Sequence, residues 1–228
     1  MDERRTAQVA AVAALAEPTR RRVYDHVAGR SEPVSRDDAA AALAVPRATA
    51  AFHLDRLVAD GLLDVHYERR SGRSGPGAGR PAKLYRRAEC TVSVSLPERR
   101  YDLAGHLLAA ALVEAERTGE RPGEALGKLA HDRGEQLGAG VGEQLDPRAS
   151  VLRLLAEQGF EPREQGGDIS LANCPFHALA REHAELVCGM NLRLLQGVLD
   201  GAPGTGWAPR LEPTAGACCV RLEPGEGG

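Results

Sequence analysis

The chain has 228 residues, of which 43% are hydrophobic and 27% charged, a composition that excludes collagen-like, fully disordered and coiled-coil proteins. The length suits one large domain or two domains of about a hundred residues each. No run of about 18 apolar residues occurs and the first residues resemble no signal peptide, so we expect a cytoplasmic protein without a membrane partner.

Charge is distributed unevenly along the chain. Residues 1–90 hold 16 Arg and Lys against 12 Asp and Glu, a net charge of +4, whereas the remaining residues carry −7. Seven basic residues and no acidic residue lie between Arg69 and Arg87. This stretch indicates a nucleic-acid contact, with a solvated basic loop as the alternative.

Apolar spacing predicts helices over 9–16, 19–27, 36–43 and 46–60. In the first of them the residues expected to be buried are Val9, Val12, Ala13 and Ala16. Ser35 is placed to cap the third helix, and Pro46 suits the first position of the fourth. The buried stripe of the fourth helix is expected to consist of Ala50, Leu54, Leu57 and Val58.

Two short helices joined by a tight turn and followed by strands over 62–68 and 83–87 predict a winged helix-turn-helix over residues 1–90. The fourth helix would enter the major groove, where Arg binds guanine and small side chains contact the thymine methyl group. His53 borders the buried stripe, so packing against the second helix is the alternative to a base contact. The expected DNA-binding residues are Arg47, Thr49, Ala51, His53, Arg56, Arg69, Arg70, Arg73, Arg80 and Lys83.

The loop from Ser71 to Ala82 is rich in glycine and proline and has little apolar content with which to fold alone. Its Gly79-Arg80-Pro81 segment is similar to the core of an AT-hook, in which arginine enters a narrow minor groove. We therefore expect minor-groove insertion, against the alternative of an unstructured loop.

A family resemblance rests on three segments of this half: residues 16–21 (Ala-Glu-Pro-Thr-Arg-Arg), residues 46–63 and residues 79–85 (Gly-Arg-Pro-Ala-Lys-Leu-Tyr). The first two segments resemble the ArsR and DeoR-like winged-helix repressors. With residues 79–85 and the cysteines of the second half added, the chain resembles the SufR branch. That resemblance implies a repressor that senses an iron–sulfur cluster.

Residues 91–228 predict an α/β sensing and dimerisation domain, so the expected fold class is α+β. Alternation over 91–96 predicts a strand, and apolar faces predict helices over 103–115, 126–137, 147–155 and 179–199. Two strands turning at Gly166-Gly167 and closing strands over 210–222 complete the domain. Because most helix-turn-helix proteins bind paired half-sites, we expect a homodimer on double-stranded operator DNA.

Five cysteines, an odd number, argue against a disulfide framework in a cytoplasmic chain and leave metal binding, redox chemistry or burial. Cys174 with His177 has a Cys-x-x-His spacing, and Cys188, Cys218 and Cys219 follow. In one continuous helix Cys174 and Cys188 would be about 21 Å apart, so a shared site requires a break near residues 181–185. Cys90 is expected to be buried rather than reactive.

The expected metal ligands are Cys174, His177, Cys188 and Cys219. Adjacent strand residues point to opposite faces, so only one of Cys218 and Cys219 is expected to bind, and we favour Cys219. His183, an external thiol or a partner chain are alternative fourth ligands. Mixed Cys and His ligation suits zinc as well as an iron–sulfur cluster.

The sequence therefore predicts a DNA-binding regulator, by resemblance a repressor, whose second half binds a cluster or a metal. The alternative is a regulator with structural zinc or no metal that responds to a small molecule. No nucleophile elbow, phosphate loop or dinucleotide fingerprint occurs, so we do not expect an enzyme.

Overall fold

The computed structural model describes residues 3–68, 81–141, 146–214 and 216–225. The chain divides into two compact units, residues 1–94 and residues 95–228. Both combine helices with an antiparallel sheet, so the fold class is α+β. In the described ranges no helix has the length and apolar character that crossing a membrane requires.

The first unit is a helical domain closed by a small sheet. Its helices are α1 (Glu3–Ala14), α2 (Pro18–Ala28), α3 (Arg36–Leu43) and α4 (Arg47–Ala59), and its strands are β1 (Val34–Ser35), β2 (Leu63–Glu68) and β3 (Ala82–Arg87). The strand order is β1-β3-β2. The two-residue strand β1 was not predicted, because it is too short to show an alternating pattern.

Local capping residues set the start and the end of α3 and the start of α4. The Ser35 side chain accepts a hydrogen bond from the Asp38 backbone N–H, and the Asp38 carboxylate accepts one from the Ser35 backbone N–H, which forms a capping box. Ala44 ends α3 in the left-handed region at φ 54°. Pro46 is the N-cap of α4 rather than its first residue, so the turn between α3 and α4 has three residues, one more than the predicted Ala44-Val45 turn.

The predicted buried face of α1 is wrong. Val9 and Val12 are 45% and 49% exposed, and Ala13 and Ala16 are exposed as well. The helix instead buries Ala11 and Ala14 against the core of the first unit. Two apolar stripes compete on this alanine-rich helix, and periodicity does not tell which of them packs.

The second unit packs helices against a four-stranded antiparallel sheet. Its helices are α5 (Tyr101–Thr118), α6 (Pro122–Ala139), α7 (Pro147–Glu157), α8 (His177–Glu182) and α9 (Ala184–Gly201), and its strands are β4 (Pro162–Gln165), β5 (Asp168–Leu171), β6 (Trp207–Leu211) and β7 (Val220–Pro224). The strand order is β4-β5-β7-β6. The strand predicted over 91–96 does not form, because neither described sheet offers those residues a partner strand.

Helices α6 and α9 approach each other through glycines. A Cβ atom added at Gly134 would lie 2.0 Å from the backbone oxygen of Leu194, and one added at Gly197 would lie 2.0 Å from that of His131. Gly138 and Gly201 are equally close to the opposing backbone. The absence of side chains at these positions therefore sets the distance between the two helices.

The helix predicted over 179–199 is interrupted. His183 has φ −132° and ψ 53°, which ends α8, and α9 begins at Ala184. The break falls within residues 181–185, where a shared site for Cys174 and Cys188 requires one. It allows Cys188 to lie near the sheet while Cys174 precedes α8.

Candidate nucleic-acid interface and cysteine cluster

Helix α4 has one buried face and one open face. Ala50, His53, Leu54 and Leu57 are buried against the first unit. The opposite face has the exposed residues Arg47, Ala48, Phe52, Asp55 and Arg56, with Thr49 and Ala51 partly exposed beside them. Phe52 is 62% exposed, an unusual position for an aromatic side chain.

Sequence reasoning missed Phe52 and Ala48. Both lie outside the buried stripe at a spacing of four residues, so they share one helix face. The signal was present in the sequence, because a phenylalanine outside the apolar stripe of a helix has no core to fill. Small and aromatic side chains on a helix that reads the major groove suit contact with thymine methyl groups.

The basic residues of this interface have acidic neighbours within the first unit. Arg47 Nε lies 3.4 Å from Asp37 Oδ1, and Arg56 Nε lies 3.0 Å from Asp60 Oδ2. The Arg47 side chain is nevertheless 74% exposed. The Arg47–Asp37 pair is exposed on both sides and contributes little, so a phosphate or a base can replace Asp37 as the partner of Arg47. The Asp60 side chain is only 7% exposed, so the Arg56–Asp60 pair is not of this kind.

Asp55 connects α4 to β3. Its Oδ1 accepts hydrogen bonds from Lys83 Nζ at 2.6 Å and from the Tyr85 hydroxyl at 2.7 Å. Desolvation raises the pKa of Asp55, but these two hydrogen bonds outweigh it and leave the pKa below its ordinary value. Lys83, a predicted DNA contact, is thus engaged by Asp55, and the hydrogen bond holds the pKa of its ammonium above the ordinary value.

The structure corrects the prediction for His53. Its residue surface is 7% exposed, and its Nδ1 faces Glu17 Oε2 at 3.5 Å. Glu17 also caps α2 by accepting hydrogen bonds from the backbone N–H groups of Thr19 and Arg20. His53 therefore packs against the start of α2, because its position on α4 points inward, and it is not available to a base.

The basic wing is described only at its base. Arg69, Arg70, Arg73 and Arg80, with the Gly79-Arg80 part of the AT-hook-like segment, lie outside the described residues. In β3, Arg86 and Arg87 are exposed, as is Tyr67 in β2. The two wing strands pair in register from Leu63 opposite Arg87 to Glu68 opposite Ala82.

Comparison with known proteins supports this interpretation of the first unit. A family model described as "Helix-turn-helix domain" matches residues 15–66, which span α2 to β2. No curated protein and no solved structure matches the chain. The first unit is a helix-turn-helix DNA-binding domain, which places the protein in the class of DNA-binding transcriptional regulators.

Four cysteines of the second unit lie in two pairs. Cys188 of α9 and Cys219, just before β7, form a disulfide with 6.3 Å between their Cα atoms. Cys174 and Cys218 are free, buried thiols, and the Cys218 thiol donates a hydrogen bond to Cys174. The expectation of no disulfide is therefore corrected, because the break at His183 and the return of the chain into β7 bring distant cysteines together.

Hydrogen bonding gives the two free thiols opposite properties. The bond from Cys218 lowers the pKa of Cys174 to about 7, with smaller contributions from the Phe176 backbone N–H and the charge of Arg99, against the opposing effect of burial. The same bond, together with burial, raises the pKa of Cys218. Cys174 is thus the sulfur on which negative charge is favoured.

The four predicted metal ligands do not assemble into one site. Cys188 and Cys219 are bonded to each other, and His177, the first residue of α8, is exposed. The thiol that contacts Cys174 belongs to Cys218, which sequence reasoning set aside in favour of Cys219. Cys90 is exposed rather than buried, and its Sγ lies 3.2 Å from the Gly61 carbonyl oxygen.

One compact group of metal-binding residue types does occur among the described residues. The ligand atoms of His131, Asp132 and Glu135 on α6 lie within 4.8 Å of one another. His131 Nε2 is also 2.8 Å from Asp200 Oδ2 on α9. Asp132 and Glu135 are exposed, and exposed acidic groups of this kind are common without an ion.

Proposed function

We propose that the protein is a transcriptional repressor that binds operator DNA as a homodimer through the exposed face of α4. The observation that supports this most directly is the exposed face of α4, a helix that lies within the residues matched by the helix-turn-helix model and follows α3 after a short turn. Repression would follow if the operator overlaps a promoter. The family resemblance favours that mode of regulation.

Base recognition is assigned to the first two turns of α4. Arg47 has the planar donor pair that matches the O6 and N7 atoms of guanine. Thr49, Ala51 and Phe52 present methyl groups or an aromatic ring to thymine. Arg56, one turn further along, would contact phosphate and fix the register of the helix on the duplex.

The wing would add contacts to the adjacent minor groove. Strands β2 and β3 flank, in sequence, the segment that contains Arg69, Arg70, Arg73 and Arg80, and Lys83 lies near the start of β3. Arginine is attracted to narrow A·T-rich grooves because their negative potential is concentrated. The Gly79-Arg80-Pro81 segment is the part proposed to enter the groove.

Homodimerisation is proposed from the requirement for two half-sites and from an uncovered apolar surface. Leu112 and Val113 on α5 are 57% and 67% exposed. A second copy that covered them would remove apolar area from water, which is the main favourable term in association. Sedimentation of the purified protein at several concentrations tests this, and a monomer at all of them would contradict it.

The second unit is proposed as the sensing part, but its cysteines do not fit the expected cofactor in the state described here. A disulfide sulfur is not a thiolate, so Cys188 and Cys219 are not ligands while they are bonded. Iron–sulfur binding at Cys174, Cys188 and Cys219 stays a prediction of the resemblance and requires reduction of that bond. Zinc binding by the same residues has the same requirement.

An open groove favours the alternative in which a small molecule is the signal. It has a volume of about 910 Å³ and lies between the first turns of α6 and α9. Gly123, Gly127 and Gly189 leave part of its lining without side chains. Its charged residues are of both signs, Lys128 and Arg193 together with Glu124, Glu182 and Glu185. A small polar metabolite that carries both charges suits such a groove.

DNA binding by the full chain is the experiment that tests the proposed function. Duplexes enriched from a random pool should bind more tightly than a shuffled duplex of equal composition at the same salt concentration. Reporter expression from a promoter containing the enriched duplex should fall when the protein is present. Failure to enrich any sequence would contradict operator recognition, and unchanged or increased expression would contradict repression.

A further inference from the structure

We propose that the groove between α6 and α9 binds an elongated zwitterion, a molecule whose ammonium group and carboxylate are separated by a short methylene chain. This inference rests on the proposed function, since it gives the chemical class of the small molecule proposed there as the signal. The groove has a volume of about 910 Å³, which is ample for such a ligand. Binding is measured on the protein alone, without DNA.

The groove forms where α6 and α9 stop touching. In the closed part of their crossing, a Cβ atom added at Gly134 or at Gly197 would lie 2.0 Å from the opposing backbone. In the groove, no atom from elsewhere in the described chain lies within 4 Å of a Cβ atom added at Gly123 or at Gly189. Close packing therefore does not require the last two glycines, which instead leave space that a ligand can fill.

The two helices run in the same direction along the groove. A Cβ atom added at Gly127 would lie 3.7 Å from Arg193 Cγ, and one added at Gly201 would lie 2.3 Å from the backbone oxygen of Glu135. Eight residues along α6 thus correspond to eight residues along α9. The first turns of both helices therefore lie at the same end of the groove.

Both helices place an acidic residue before a basic one in this direction. On α9, Glu185, Gly189 and Arg193 follow one another at intervals of four residues, so they form one row on the helix surface. On α6, Glu124 and Lys128 have the same spacing and the same order. All five residues line the groove. The end beside the first turns is therefore acidic, and the end where the helices touch is basic.

The charges on α9 do not neutralise each other. At a rise of about 1.5 Å per residue, Glu185 and Arg193 lie about 12 Å apart along the helix axis. Neither side chain has an ion pair or a hydrogen bond with any residue that the structure describes. Lys128 differs, because its Nζ lies 2.7 Å from Glu120 Oε1. Arg193 is thus the basic residue of the groove that is available to a ligand.

This separation selects the length of the ligand and the charge at each of its ends. A hydrogen bond of about 3 Å at each end leaves about 6 Å between the two charged groups of the ligand. Arg193 suits the carboxylate, because a guanidinium group binds a carboxylate through two parallel N–H donors. Glu185 suits the ammonium group. Between them, Leu186 is 43% exposed and offers an apolar side chain to the methylene groups.

Calorimetric titration of the full chain with δ-aminovalerate tests this inference. Pentanoate lacks the ammonium group and pentylamine lacks the carboxylate, so each should bind about tenfold or more weakly, because a hydrogen bond between charged groups is lost. Glycine carries both charges but is too short to reach both ends, and it should bind more weakly as well. No binding of δ-aminovalerate, or equally tight binding of pentanoate or pentylamine, would overturn the proposal.

Two charge variants separate the ends of the site. Arg193→Gln removes the guanidinium group, so it should lose the preference for δ-aminovalerate over pentylamine. Glu185→Gln should lose the preference over pentanoate. Arg153→Gln is the matched control, because Arg153 is exposed on α7 and does not line the groove. Preferences that persist in Arg193→Gln and Glu185→Gln would place the ligand elsewhere and contradict the proposal.

Filling the groove gives a test that does not depend on charge. Gly189→Leu places a side chain in the open space and raises helix propensity, so binding should be lost while stability is kept. Gly105→Leu on α5 is the matched control, because a Cβ atom there also meets nothing within 4 Å and Gly105 does not line the groove. Native-like binding by Gly189→Leu would overturn the proposal. So would a loss of dimers in Gly189→Leu alone, since the groove would then hold a second copy.

Thermal unfolding followed by circular dichroism establishes that each variant folds. If Gly189→Leu unfolds, the ligand series and Arg193→Gln still decide the outcome. Because no DNA is present, failure of operator binding would leave the result unaffected. Operator affinity with and without δ-aminovalerate is measured separately, and a bound ligand that leaves this affinity unchanged would contradict the signalling role but not the site.

Discussion

The Tyr85 hydroxyl of β3 lies 2.7 Å from the Oδ1 atom of Asp55 on α4 and donates a hydrogen bond to it. The same oxygen accepts a bond from Lys83 at 2.6 Å. This contact joins the helix proposed to read DNA to the strand that leads out of the wing. These hydrogen bonds therefore help to fix the orientation of α4 relative to β3, the strand at the base of the wing.

Replacement of Tyr85 by phenylalanine should destabilise the first unit by about 1 kcal/mol, the typical contribution of one hydrogen bond. The ring remains to fill its buried position, which is 2% exposed. Urea unfolding of the full chain measures the change. Tyr67→Phe is the matched control, because the Tyr67 side chain in β2 is 61% exposed, and equal losses in the two variants would contradict the assignment.

The stability of the first unit should depend on the charge of Asp55. Because the pKa of Asp55 is below its ordinary value in the folded protein, this group stabilises the fold above its unfolded pKa. That contribution is lost as the pH falls through the folded pKa. The difference in unfolding free energy between the native protein and Asp55→Asn should thus shrink from about pH 7 to about pH 3.

Unfolding by urea at each pH measures this difference, and comparison with the variant removes the contribution of other carboxylates such as Glu17. A difference that stays constant over the range would show that the ionised form of Asp55 does not stabilise the folded state.

The close packing of α6 against α9 should require glycine at the positions where the two helices meet. In Gly134→Ala the new Cβ would lie 2.0 Å from the Leu194 carbonyl oxygen, so the helices must separate, at a cost of about 2 to 3 kcal/mol. Gly127→Ala is the control on the same helix, because its nearest contact is the flexible Arg193 side chain at 3.7 Å.

Alanine has a higher helix propensity than glycine, so Gly127→Ala should be neutral or slightly stabilising. Thermal unfolding followed by circular dichroism compares the two variants. A Gly134→Ala protein as stable as the control would show that the close approach of α6 and α9 is not needed.

Phe52 should contact a thymine methyl group in the enriched operator. Replacement of thymine by uracil at one position in each half-site should weaken binding of the native protein, because uracil lacks the methyl group. The same replacement should leave binding of Phe52→Ala unchanged. Fluorescence anisotropy at fixed salt measures both, and an equal response of the two proteins at every thymine would exclude the contact.

Local signals explain which elements the sequence predicts correctly. Helices α3 and α4 can be predicted from sequence because their start signals are local. These signals are the capping box at Ser35 and Asp38 and the proline before α4. The buried face of α1 is not, because Ala11 and Ala14 compete with Val9 and Val12 and only tertiary contacts decide between them. Alternation over 91–96 predicts a strand but cannot supply its partner.

The cysteine cluster shows the same limit at the candidate site. Geometry along the chain correctly requires a helix break near His183 for Cys174 and Cys188 to approach. The pairing of Cys188 with Cys219 and of Cys174 with Cys218 depends on how β7 returns beside β5. Residue spacing contains no information about that return.

The central claim is that α4 reads operator sequence, and binding-site selection with the full chain tests it most directly. The native protein should enrich a motif of two related half-sites, and Arg47→Ala should lose preference at one position in each half-site and bind the enriched duplex about 1 to 3 kcal/mol more weakly. An equal loss on shuffled DNA would make Arg47 a phosphate contact. An identical motif and affinity for the two proteins would contradict the assignment of α4 as the reading helix.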